Sequence, residues 1–201
     1  MAGQLASDLA NAERIVVTGG TYGIEGAAHR AALASGGDTI AVMANGVDRP
    51  YPMGHRELLE RVADLGLMVS EVPPGAVPTR HRFLARARLM ATFSAVTVVV
   101  EAGVRSGSMT VARRAHELGR AVGSVPGPVT SATSAGPHLL LQDGLARLVT
   151  GTGDIESLVA HKNGPDPGQA IGRRDSQRQP TADRSRPAYR DTACLATPVV
   201  L

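Results

Sequence analysis

Aromatic residues are scarce in this chain, which has no Trp, three Tyr and two Phe among its 201 residues. The core must therefore be built from Val, Leu, Ile and Ala, and such side chains suit a parallel sheet. The single cysteine, Cys194, excludes a disulfide framework and a cysteine-based metal site. Apolar runs stay well below about 18 residues, and the N-terminal stretch has no basic segment followed by an apolar one. We therefore expect a cytoplasmic protein with neither a membrane span nor a secretory signal.

Charge is unevenly distributed along the chain, although the net charge is only +3. Residues 1–79 contain five basic and nine acidic residues, whereas residues 80–120 contain eight Arg and two Glu. Such asymmetry indicates a polyanionic partner for one face of the protein. Arginine-rich helices are also common on solvated surfaces, so the pattern alone leaves both interpretations open.

Six short runs rich in β-branched residues alternate with helical patterns and predict strands at 14–18, 39–43, 67–71, 96–100, 121–125 and 145–150. This alternation predicts an α/β fold with a doubly wound, mostly parallel, Rossmann-like sheet over residues 1–160. In such sheets ligands bind beyond the carboxyl ends of the strands. Residues 161–201 are rich in Pro, Gly, Gln, Arg and Asp, and they predict a disordered tail.

Two glycine-rich turns follow predicted strands and lead into helices. The first contains Gly19, Gly20 and Gly23, and the second contains Arg105, Ser106, Gly107 and Ser108. Ser106 or Ser108 can cap the helix that follows the second turn. Free N–H groups at a helix start attract anions, so both turns are candidate phosphate sites, although an ordinary capped turn has a similar sequence. The first turn also overlaps the dinucleotide fingerprint, but no acidic residue follows the second strand where a ribose would be bound.

Arginines and histidines are the candidate functional side chains of this sequence. Arg82 and Arg86 are four residues apart and share one face of the predicted helix at 79–93, and Arg88 lies further round that helix. The six His are scattered without metal-ligand spacing, and His29 is interpreted as a packing residue. We therefore expect no catalytic residues, no metal and no cofactor.

Seven segments occur in one order that is typical of a known family. They are TGGTYGIEGAAHR (18–30), YPMGH (51–55), VSEVPPG (69–75), HRFLARAR (81–88), VVVEA (98–102), SGSMT (106–110) and VPGP (125–128). Together they resemble the DNA-processing protein A family (DprA, also called Smf), especially its actinobacterial members. The resemblance covers about residues 1–158. It implies an extended Rossmann-like fold, a homodimer, binding of single-stranded DNA, and loading of a RecA-type recombinase on DNA taken up during transformation.

The chain departs from the family pattern in three places. Family members usually begin with a further strand that ends in a Gly-Ser-Arg turn, and this chain starts after that point, so we expect the sheet to lack one interior strand. The family's Arg-Asn-Arg is Arg86-Ala87-Arg88 here, and residues 161–201 lack the winged-helix pattern that many members carry.

The expected site combines guanidiniums with backbone amides that bind phosphates, at Gly19, Gly20, Gly23, Arg82, Arg86, Arg88, Arg105, Ser106, Gly107 and Ser108. Because only Tyr22, Tyr51, Phe83 and Phe93 precede the tail as aromatics, we expect binding that is independent of sequence and dominated by phosphate contacts.

Three alternatives remain open from the sequence. One is an enzyme similar to the nucleoside-monophosphate phosphoribohydrolases, although those resemble Pro-Gly-Gly-x-Gly-Thr-x-x-Glu where this chain has Glu101-Ala-Gly-Val-Arg-Ser-Gly-Ser-Met109. The second is an interaction module that docks a recombinase without binding DNA. The third is an inactive, truncated copy of a family member.

Overall fold

The computed structural model describes residues 1–160 and 197–201. Its helices are α1 (Ala2–Asn11), α2 (Ile24–Ala34), α3 (Arg56–Leu65), α4 (Arg80–Phe93), α5 (Gly107–Glu117), α6 (Ala135–Gln142) and α7 (Thr152–Ala160). Its strands are β1 (Ile15–Thr18), β2 (Thr39–Val42), β3 (Leu67–Val69), β4 (Val96–Val99), β5 (Ala121–Ser124), β6 (Arg147–Leu148) and β7 (Pro198–Val200). Short 3-10 turns cover Met53–His55 and Ala132–Ser134.

All strand pairs in the sheet are parallel, and the strand order is β3-β2-β1-β7-β4-β5-β6. The six strands predicted from sequence are therefore confirmed, as is the doubly wound α/β class. The interior strand β4 is buried at every position, which explains why its sequence is continuously apolar or β-branched rather than alternating.

Helices cover both faces of the sheet. On one face, α1, α2 and α7 pack against Val16, Val96 and Val199, and α3 joins them beside β2. On the other face, α4, α5 and α6 pack against Val17 and Val99 and their neighbours. Leu5 and Leu9 in α1 show how the sequence encodes this packing of helices on the sheet. Residues four apart share a helix face, and both of these side chains are fully buried. No helix in residues 1–160 is long and apolar enough to cross a membrane.

The segment that forms β7 corrects two predictions. Residues 198–200 form a strand, so the prediction that a disordered tail extends to residue 201 is wrong for this segment; residues 161–196 lie outside the described part of the chain. The expected gap in the sheet is also filled, because β7 lies between β1 and β4 and pairs with both. A strand of three residues near the chain end has no periodic pattern to reveal it, and its partners are distant in sequence.

The order of the strands creates a topological switch beside β7. From β1 the chain proceeds through β2 to β3 at one edge, and from β4 it proceeds through β5 to β6 at the other. The two halves therefore diverge between β1 and β4. In open α/β sheets a crevice forms at the carboxyl ends of the strands at this point, and ligands bind there.

Candidate nucleic-acid interface

A cavity of about 270 Å³ lies at the switch point, and we call it the switch-point crevice. It is enclosed by the start of α2, the inner face of α4, the end of β4, the start of α5 and the end of β7. Its apolar walls include Met90, Val98, Val100, Val200 and Leu201. Its polar lining comes from the two turns that were predicted to bind phosphate, at Thr21, Glu25, Ser106 and Ser108 among others.

The start of α2 already holds an anionic group from the chain itself. One carboxylate oxygen of Glu25 accepts a hydrogen bond from the Thr21 N–H at 2.7 Å and another from the Thr21 hydroxyl. The other oxygen lies 3.3 Å from Nη2 of Arg86. Because an anion is most favourable at a helix N-terminus, Glu25 satisfies this position internally. A phosphate at the same place would have to displace it.

Arg86 holds the first glycine turn in place. Its Nη1 donates to the carbonyl oxygen of Gly19 at 3.0 Å and approaches that of Val42 at 3.4 Å, and its guanidinium lies 5.0 Å from the centre of the Phe83 ring. Only 10% of the Arg86 side chain is exposed. The sequence placed Arg86 near the glycines correctly, but its guanidinium is engaged by backbone carbonyls and Glu25. It is a positioning residue in this arrangement, not a free cation.

The glycines of the first turn differ in their access to solvent. Gly19 is buried, and a Cβ there would lie 2.1 Å from Nη1 of Arg86. Gly20 is also buried, with a φ of 77°, and its carbonyl accepts a hydrogen bond from Nδ1 of His55 at 3.0 Å. Gly23 is exposed, with a φ of 84°, so it is the one predicted glycine of this turn whose backbone is open to a ligand.

His29 joins the middle of α2 to the start of β2 and is fully buried, as the packing interpretation predicted. The Thr39 hydroxyl donates to the carbonyl oxygen of Val16, so it accepts the proton of His29 Nδ1 at 2.8 Å. Burial, with a further contribution from His55, lowers the pKa of His29 to about 4. His29 is therefore neutral at physiological pH.

The start of α5 is open by comparison. Ser106 caps the helix, its hydroxyl accepting from the Ser108 N–H at 3.3 Å, as predicted. Gly107 and Ser108 are exposed, and a Cβ on Gly107 would meet no atom of the described residues within 4 Å. The first turn of α5 contains no acidic residue. The Gly107 N–H has no partner among the described residues, and it lies at the mouth of the crevice together with the positive end of the helix dipole.

The charges around the second turn have opposite signs. Arg105 is exposed, and within residues 1–160 and 197–201 it forms no ion pair. Glu101 lies on the crevice wall before it and is also exposed. The charge of Arg105 and the helix start thus favour an anion at this mouth, whereas the charge of Glu101 opposes one.

The other predicted arginines on α4 have internal partners. Arg82 donates to the carbonyl oxygen of Val77, and Arg88 forms an exposed ion pair with Glu71. Sequence reasoning missed Arg49, on the loop after β2, and Arg80, the first residue of α4. Both are exposed and have no ion pair in the described part of the chain. Their location after strand ends was the signal that could have found them.

Two exposed aromatic rings lie at the edge of the sheet where the strands end, as the crevice does. The Tyr22 side chain is 62% exposed, its ring contacts His55 edge-on, and its hydroxyl accepts from the Gly54 N–H at 3.1 Å. Tyr51 is 41% exposed and lies edge-on to Phe83, with 6.1 Å between the ring centres. Two tyrosine faces held in place in this way offer surfaces on which nucleobases can stack.

Within the part of the chain that the structure describes, no three side chains of His, Cys, Asp or Glu are grouped so that they could hold a metal ion. What the geometry offers is a charged, partly apolar crevice with the exposed start of α5 at its mouth.

Comparison with known proteins decides the family. The family model described as DNA recombination-mediator protein A matches residues 1–160. The chain belongs to this family. The resemblance seen in the sequence motifs is therefore confirmed. A DNA processing protein DprA from Mycobacterium tuberculosis is 53% identical over 176 residues, which is 85% of this chain and 45% of that protein.

Solved structures of family members have the same fold. The X-ray structure of DprA from Streptococcus pneumoniae matches with a TM-score of 0.72 and 38% identity, covering 78% of this chain and 54% of that one. A structure of DprA from Helicobacter pylori, which concerns its binding of single-stranded DNA, matches with a TM-score of 0.72 and 28% identity, covering 80% of this chain and 73% of that one. This chain spans about half the length of the curated relatives it matches.

Proposed function

We propose that this chain binds single-stranded DNA at the switch-point crevice, without sequence preference, and acts as a recombination mediator that loads a RecA-type recombinase. The observation that carries the DNA-binding part is the open start of α5, where Gly107, whose N–H is unpartnered among the described residues, and Arg105 are exposed together. The binding of single-stranded DNA by the H. pylori relative supports the choice of ligand. The recombinase, the homodimer and the cytoplasmic location are proposed by analogy with the family and rest on no contact in this structure.

The phosphate contacts are assigned to the second turn and its neighbours. The Gly107 N–H binds one phosphate, the Ser108 N–H exchanges its 3.3 Å bond to the Ser106 hydroxyl for a bond to the same phosphate, and Arg105 neutralises the charge. Arg49 and Arg80 extend the path of the DNA strand along the edge of the sheet at which the β-strands end. Tyr22 and Tyr51 provide stacking faces, so base stacking contributes more than the low aromatic content suggested.

The first turn has a different part in this proposal. Arg86 and Glu25 fix the crevice wall and bind no phosphate themselves. Arg82 and Arg88 contribute through their charge at the margin, because their guanidiniums are already hydrogen-bonded or paired. Of the predicted glycines in this turn, Gly23 alone remains a candidate for direct backbone contact.

The test compares Arg105→Ala with Arg113→Ala. Both remove one exposed arginine, but Arg113 lies well inside α5, away from the crevice mouth. Affinity for a fluorescent oligonucleotide of about 20 thymidines is measured by anisotropy across a range of salt concentrations. Losing one phosphate contact lowers the log–log slope by about 0.7 for single strands, so we expect this change in Arg105→Ala only.

Three outcomes contradict the proposal in different ways. Equal slopes for the two variants would remove Arg105 from the site. Failure of the unmodified chain to bind the oligonucleotide would favour the docking module. Release of base from AMP by the unmodified chain would favour the enzyme related to phosphoribohydrolases.

A further inference from the structure

The strand β7 has an unusual place in the fold. It lies in the middle of the sheet, between β1 and β4, yet residues 161–197 separate it from α7, the element before it. We call the position it occupies the β7 slot. The slot is bounded on both sides by backbone that would otherwise have unpaired hydrogen-bonding groups, which makes it an acceptor for a parallel strand.

The contacts that hold β7 are apolar packing and backbone hydrogen bonds. The Ala95 N–H donates to the carbonyl oxygen of Pro198 at 2.8 Å, and the Leu201 N–H donates to that of Val17 at 3.3 Å. Val199, Val200 and Leu201 are 0%, 3% and 7% exposed. Their side chains alternate between the two core layers, with Val199 and Leu201 on one face and Val200 on the other. The slot therefore recognises a short apolar segment.

The connection to β7 is much longer than the fold requires. The helix α7 contacts β4 and β5 and runs back from β6 toward the edge where the strands begin, and β7 begins at that edge beside β4. Neighbouring strands are only about 5 Å apart, whereas residues 161–197 can span on the order of 100 Å when extended. The covalent connection therefore does not require that strand and slot belong to the same molecule.

We propose that β7 enters the β7 slot of a second copy of this chain, so that two molecules exchange strands. Each crevice is then completed by the other molecule, because the exchanged residues 200 and 201 line its apolar wall. The contacts are identical in the closed and exchanged forms, which makes exchange a low-cost route to a dimer. The proposal concerns the fold and does not rest on DNA binding.

Concentration decides between the two forms. A tethered segment has an effective concentration of about 1 mM for its own slot when the linker is short and flexible, and less when it is longer. We therefore expect each β7 to fill the slot of its own chain in dilute solution, and a growing share of exchanged strands as the chain concentration approaches that range.

The test uses cysteines at paired positions of β1 and β7. Val16 and Val199 are register partners, both are fully buried on the same face, and neighbouring strands bring Cα atoms within the range that a disulfide bridges. Full-length chains carrying Val16→Cys or Val199→Cys, each with Cys194→Ser, are mixed, unfolded, refolded together and oxidised. We expect a covalent dimer on a non-reducing gel, with a yield that rises with chain concentration.

Two controls define the outcome. Val129→Cys, at a position that is 89% exposed, replaces Val16→Cys in a parallel mixture and is expected to give only background dimer. A chain with both Val16→Cys and Val199→Cys is expected to close within one molecule in dilute solution. If that chain closes but the mixture gives no more dimer than the Val129 control at any concentration, strand exchange is refuted. If this chain forms no intramolecular disulfide, β7 does not occupy the slot, and the proposal is refuted.

Discussion

The two glycine turns beside the switch point look alike in sequence but differ in what fills them. In the first, between β1 and α2, Glu25 and Arg86 take up the helix start and the turn carbonyls. In the second, between β4 and α5, Gly107 and Ser108 are exposed and no acidic residue follows in the first helical turn. The first turn is filled by side chains of the protein itself, and the second is open to an external anion.

This difference shows that glycine spacing alone does not identify a phosphate site. The informative residue is the acid four positions after Thr21, because its carboxylate takes the Thr21 N–H that a phosphate would use. The second turn has no acid in its first helical turn; the Gly107 N–H has no partner among the described residues, and the Ser108 N–H meets only the Ser106 hydroxyl. A glycine turn without a nearby acid is therefore the stronger candidate for ligand binding.

The largest expected effect comes from removing the internal anion. Glu25→Gln leaves the guanidinium of Arg86, which is only 10% exposed, without its counter-charge. Loss of one partner from a buried ion pair typically costs about 3 kcal/mol of unfolding free energy or more. Glu101→Gln, at the exposed second turn, is expected to change stability by less than about 0.5 kcal/mol. Urea denaturation of both variants measures the difference, and equal losses would contradict the contrast between the turns.

Acid is expected to weaken the packing of α2, the helix that follows the first turn, against β1 and β2 by a slightly smaller amount. The pKa of His29 is lowered to about 4 in the folded chain, so the unfolded chain takes up the proton first as the pH falls. The stability that neutral His29 allows is complete above about pH 6.5 and declines by about 3 kcal/mol as the pH reaches 4.

The measurement for His29 is urea denaturation across this pH range. His29→Gln is expected to lack that part of the decline, since Gln carries no titrating group. The matched control is His116→Gln, because His116 is exposed and lies at the far end of α5. If His29→Gln follows the pH profile of the unmodified chain, His29 is not the group whose protonation weakens the fold.

Much of the fold follows from local sequence, because interior parallel strands are short, apolar runs and their helices are amphipathic. The run that became β4 was recognisable for this reason, and so was the Ser106 cap of α5. The strand β7 was not recognisable, since three residues carry no period and the sheet position is set by β1 and β4, far away in the chain.

The site was only partly predictable for a related reason. Helical spacing placed Arg82 and Arg86 on one face, but it does not reveal which acceptors each guanidinium meets. Arg86 meets the carbonyl of Gly19, 67 residues earlier, and such a contact depends on the tertiary fold. Arg49 and Arg80 become the better candidates only once the structure shows that Arg82, Arg86 and Arg88 have internal partners.

The most direct test of the account is an NMR titration of the full-length, nitrogen-15-labelled chain with an oligonucleotide of about 20 thymidines. The account predicts that the amide signals of Arg105, Gly107 and Ser108 shift most and saturate together. Those of Gly19 and Gly20 should move little, because Arg86 and His55 already occupy their carbonyls. Large shifts at Gly19 and Gly20 with unmoved signals at 105–108 would contradict the account and make the first turn the binding site.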